Sequence, residues 1–221
     1  MSESAANHAL IDFATLRREV DALLTWACGG GAGRKLDDPV YWSIASNAAV
    51  REAGKSLYQL SLEEHWKSRF SSCAYLGHWL LEILGVQLPW VGREQHAMNP
   101  LTRLAYAPQS RAPMPDEHLL PGDVILIGDS PHTWHIQATI EHDPDSHTLV
   151  VGEYGQKPGL GCHVASKAIR KVAGRLWVGE RPLERVLPLE DVIRAAAAAG
   201  KIVGAIAWPN GCPKPEDQAA G

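Results

Sequence analysis

Three side chains that lie far apart in the chain have the types that together make a nucleophilic site: a thiol, an imidazole and a carboxylate. The thiol is Cys73, in "RFSSCAYLGHWLLEILG", residues 69–85. At helical spacing Cys73, Leu76, Gly77, Leu80, Ile83 and Leu84 share one side. Ser71 or Ser72 can cap the first turn, and Gly85 is placed to end the helix. A thiol at a helix N-terminus meets unpaired backbone N–H groups and the positive end of the helix dipole, which favour the thiolate. A nucleophilic cysteine must reach that state. A lone cysteine is more often a small buried apolar residue, so the other two groups decide its meaning.

The imidazole is His135, in "WHIQATI", residues 134–140. Trp134, Ile136, Ala138 and Ile140 alternate with His135, Gln137 and Thr139, which predicts a strand with one face on a core. His135 is expected to lead the other, wetter face. The turn "EHDPDS" folds the chain back into "HTLVVGEY", which holds the carboxylate, Glu153. Pairing Glu141 with His147 sets His135 directly opposite Glu153, with Cβ atoms roughly 4.5–5.5 Å apart. A slip of one residue would put them on different faces. In that arrangement His135 takes and returns the proton of the reaction, while Glu153 holds the ring in one tautomer.

These groups need elements to carry them. "LIDFATLRREVDALLTWA" predicts an amphipathic helix with Leu10, Phe13, Leu16, Val20, Leu23 and Leu24 on one side. "CGGGAGRKLDDP" terminates it; the cluster follows a helix and Lys35 precedes Leu36, so it is not a phosphate loop. A long Pro-rich and polar connection over 89–118 follows the Cys73 helix. Then come short strand-like runs, "DVILI", "WHIQATI", "TLVVGEY" and "RLWVG". A capped alanine-rich helix, "PLEDVIRAAAAAG", and an apolar run, "KIVGAIAW", follow them. Helices first and an antiparallel meander afterwards predict an α+β fold. The expected organisation is one catalytic domain over 1–208, with a helical N-terminal extension over 1–36 and a flexible tail over 209–221.

At 221 residues and 45% hydrophobic content the chain can bury an ordinary core. A net charge of -4 without any basic run gives no reason to expect nucleic acid. No signal-peptide pattern and no apolar run of membrane-spanning length is visible, so the product is expected to be cytoplasmic as synthesised. The four cysteines, Cys28, Cys73, Cys162 and Cys212, form no CxxC pair, which argues against a zinc ribbon or a thioredoxin motif. No cofactor is called for.

Three segments together resemble the CHAP family of cysteine, histidine-dependent amidohydrolases/peptidases and the related NlpC-type cell-wall peptidases. They are "SSCAYLGHWLLEILG", the turn and strand "LLPGDVILI", and "HIQATI" followed by "VVGEYGQ". The order Cys, His, acid is also similar. The likeness covers about residues 68–156 and departs at Ser72, Trp134 and Gly155, where the family favours an acid or amide, Gly and Asn. It implies a papain-like fold with its core over 68–180, the nucleophile at a helix N-terminus and the helices packed on an antiparallel sheet. It implies Cys73 as nucleophile, His135 as general acid and base, Glu153 as orienting acid, and Gln156 as a candidate second oxyanion donor beside the Cys73 N–H. The implied reaction is hydrolysis of an amide bond in bacterial peptidoglycan. Without a signal peptide, such an enzyme would reach the wall as part of a phage or through an injecting secretion system, with a delivery or immunity protein as partner.

Three other readings use the same residues. A Cys–His acyltransferase or non-wall peptidase would share the machinery, and a degenerate scaffold would only bind. A metal hydrolase would use His132, His135 and Glu153, but a His-x-x-His at a turn-to-strand junction does not put both rings on one side.

Overall fold

The protein is described by a computed structural model covering residues 12–29, 73, 75–86, 104–130, 133–154, 161–199, 206, 208–209 and 211–215. Helix α1 (Phe13–Cys28) begins at Asp12, whose carboxylate accepts from the N–H groups of Ala14 and Thr15. Val20, Leu23, Leu24 and Ala27 lie on its completely buried stripe, as their spacing predicts. Helix α2 (Tyr75–Ile83) stops at Gly85, whose φ of 68° suits glycine, while the Val86 N–H bonds back to the Leu81 carbonyl. Ser71 and Ser72, the expected caps, lie outside the described residues, as do the glycine cluster after Gly29 and residues 89–103 of the 89–118 connection.

Six antiparallel strands follow among the described residues: β1 (Val124–Ile127), β2 (His135–Asp143), β3 (Thr148–Tyr154), β4 (Cys162–Val172), β5 (Arg175–Val178) and β6 (Arg181–Leu187). Each pairs with the next, and β6 returns to pair with β1, closing a barrel. This overturns the expected papain-like α+β fold, in which helices pack on an open sheet. The difference lies in β4 and β6, whose residues lack an apolar alternation. In "CHVASKAIRKV" the inward positions include His163 and Lys167, and in "RPLERVL" a bulge at Glu184 breaks the period. Without those two strands the meander has no means to close.

Closure gives the strands two buried faces. Ile125, Ile127, Leu149, Val151, Ile169, Val178, Leu183 and Val186 fill the barrel. Val124, Leu126, Ile136 and Ala138 face outward and pack with α1, α2 and helix α3 (Leu189–Ala198). Gly152 allows close contact there, since a Cβ would stand 2.8 Å from Cys28 Sγ and from Leu76 Cδ2. The "PGD" turn ties the layers together. Asp123, buried at the start of β1, accepts from Arg17 of α1 at 2.9 Å, from Leu189 N–H of α3 at 3.0 Å and from Leu120 N–H at 2.9 Å. Part of the C-terminal segment is packed rather than frayed: Trp26 Nε1 donates to the Gly211 carbonyl at 3.0 Å, and Cys212 is buried.

Candidate active site

The site is assembled at one end of the barrel, from a turn and three strands. Cys73 sits in the turn before α2, two residues ahead of the first helical residue, and is 1% exposed. His135 opens β2 opposite Ile127, so its ring points into the barrel. It is 3% exposed, and Gln137 and Thr139 beside it are completely buried. The expected wetter face of β2 is therefore an interior face, because the far side of that face is closed by β4 to β6.

The expected hairpin register is also corrected. Near the turn, Asp143 pairs with Thr148 and Glu141 with Val150. Continued unchanged, that register would put His135 and Glu153 on opposite faces. A bulge intervenes: Ile140 is the extra residue, and beyond it Thr139 pairs with Val151 and Ala138 with Gly152. The added residue restores the parity, so Glu153 points into the barrel with Gln137 and His135. It stands across from Gln137, and His135 reaches it along the diagonal, with Nε2 3.5 Å from Oε1.

The ring of His135 also takes a side-chain hydrogen bond with the Cys73 thiol. Burial alone would lower the pKa of the ring; the hydrogen bonds to the Cys73 thiol and to Glu153 outweigh it, and the net shift is upward. Glu153 is 5% exposed and lies among four side chains. On Oε1 it accepts from the Gln137 amide and the Lys167 ammonium and faces His135. Oε2 lies 3.2 Å from His163 Nε2. Burial pushes its pKa up, but the bonds to His135 and Lys167 prevail and hold it at about 2.

The structure thus brings Cys73, His135 and Glu153 together. Gln156 and His132 lie outside the described residues. Gln137, His163 and Lys167 belong to the cluster without having been expected. The last two lie on β4, where His163, Ala165, Lys167 and Ile169 share the inward face; a period-2 reading of "CHVASKAI" would have found them. Trp134 is half-buried against the outer core and meets the exposed Tyr106 edge-on, with ring centroids 5.9 Å apart. Among the described residues no group of three or more His, Cys, Asp and Glu side chains could hold a metal ion. None of the four cysteines is in a disulfide, and Cys28 and Cys162 touch. No helix among the described residues is long and apolar enough to cross a membrane.

No protein-family model, no curated protein and no solved structure matches this chain.

Proposed function

We propose that the protein is a cysteine hydrolase that cleaves an amide bond of bacterial peptidoglycan. The observation that carries the chemistry is the contact of Cys73 with a His135 ring whose Nε2 faces Glu153. A sulfur, a ring that can take its proton and a carboxylate that favours the protonated ring are the parts of nucleophilic acyl transfer.

In this reading His135 receives the thiol proton, and the Cys73 sulfur attacks the carbonyl carbon. The carbonyl oxygen becomes an oxyanion, which the Cys73 N–H at the start of the helical segment can receive. One such donor lowers the barrier by roughly 3–4 kcal/mol. His135 then protonates the departing amine, leaving a thioester on Cys73. Water, deprotonated by His135, attacks the thioester and releases the acid. Glu153 remains ionised throughout, favouring the imidazolium and fixing the ring. The sulfur and the ring are both buried.

The substrate class rests on the likeness of residues 68–156 to the CHAP and NlpC-type segments. On the same ground the bond is one in the stem peptide, or the bond joining that peptide to the sugar. Delivery by a phage or an injecting secretion system, with a delivery or immunity protein as partner, follows from that substrate. The test is digestion of purified peptidoglycan, with the muropeptides identified by mass spectrometry. Wild-type protein is expected to release fragments with one new amine and one new carboxylate, and Cys73→Ala to release none. A fully active Cys73→Ala protein would end the proposal.

A further inference from the structure

A buried carboxylate beside a ring that must gain and lose a proton has a charge problem. When His135 is neutral, Glu153 alone would be a buried anion without a countercharge. It would then either hold the imidazolium more tightly or take up a proton itself, and both outcomes hinder the proton transfers of the ring. The barrel supplies a third group. Lys167 reaches from β4 to Oε1, the oxygen that also faces His135. We propose that Lys167 is a positioning residue of this site, a fixed countercharge that keeps Glu153 ionised and in place in both states of His135.

The charges then balance in each state. With thiol and neutral imidazole, Glu153 and Lys167 form a neutral pair; with thiolate and imidazolium, two ion pairs share one cluster. Among the described residues, all the titratable and amide groups facing Glu153 take part. They are His135 and Gln137 from β2, and His163 and Lys167 from β4, with Cys73 hydrogen-bonded to the His135 ring. The Gln137 amide and His163 hold the carboxylate's orientation, but Gln137 carries no charge and His163 lies on Oε2, not on the oxygen that faces His135. Lys167 is the ammonium bonded to Oε1, the oxygen that also faces His135.

This inference rests on the reading of Cys73, His135 and Glu153 as one site, yet its central test needs no substrate. The carboxyl carbon of Glu153 is followed by NMR against pH in wild type, Lys167→Met and Lys167→Arg, with Lys167→Gln in reserve should the Met variant fail to fold. Wild type is expected to stay ionised to about pH 2. Lys167→Met is expected to raise the midpoint by at least one pH unit, a tenfold gain in proton affinity, and Lys167→Arg to restore it. The acid limb of the kcat/KM profile should move with it while KM changes less. An unchanged midpoint in folded Lys167→Met or Lys167→Gln overturns the proposal, as does an arginine variant that behaves like methionine. If Cys73→Ala proves active while the carboxyl titration behaves as expected, the hydrolase reading fails and the role of Lys167 as countercharge stands.

Discussion

Replacing Glu153 by Gln isolates the electrostatics of the site from its chemistry. The carboxylate is 5% exposed and titrates at about 2, against 4.5 for an ordinary glutamate. At about 1.4 kcal/mol per pH unit, that difference corresponds to folding stability on the order of 3 kcal/mol. The folded value is depressed, so this stability is present above about pH 4.5 and is lost as pH falls toward about 2. His135 runs the other way. Its folded value is raised above 6.5, so its contribution is complete below pH 6.5 and fades as pH rises through the folded value. The cluster therefore stabilises the fold most between about pH 4.5 and 6.5. Urea unfolding of wild type and Glu153→Gln across pH reads this directly. Subtracting one from the other removes the carboxylates they share, among them Asp143 and Glu117, whose values are also lowered. The stability gap is expected to be small near pH 2 and to open by about 3 kcal/mol on approaching pH 5. In thermal melts at neutral pH that is a loss of about 6–12 °C. A gap that stays constant from pH 2 to 5 would refute the reasoning, because Glu153 would then carry no depressed titration in the folded state.

Asp123→Ala leaves the Leu189 and Leu120 N–H groups and the Arg17 guanidinium without their acceptor. A cost of about 3 kcal/mol is expected in chemical denaturation, with little change in the site's pH profile. Gly152→Ala drives a methyl group into Cys28 Sγ and Leu76 Cδ2, each 2.8 Å from its position. Overpacking of this kind costs about 1–3 kcal/mol, measured as a lowered urea midpoint. Iodoacetamide under native conditions is expected to modify Cys73 before Cys162, whose thiol is pushed up by burial and by contact with Cys28. Peptide mapping checks the order, and first modification at Cys162 would count against a reactive Cys73.

Much of the site is legible in the amino-acid sequence. Cys73 stands next to the helix that its apolar stripe defines, and Gly85 ends that helix. His135 and Glu153 lie on the two strands expected to hold them. These features are local: a 3.6-residue period, a 2-residue period and a glycine with positive φ are properties of short segments, and short segments display them. The register is not legible, because a bulge leaves the alternation of "WHIQATI" intact and only changes what faces it. The extra residue at Ile140 decides whether Glu153 shares a face with His135, and that choice is made by β3 packing against β4 and the helices. Closure is equally hidden. Polar inward residues such as His163 and Lys167 hide β4 in the sequence, since their burial is satisfied by Glu153, a partner on another strand. Composition and periodicity thus determine which groups can react and which elements carry them. Only the closed barrel decides that they meet at one buried end, because pairing across distant strands is a property of the whole sheet.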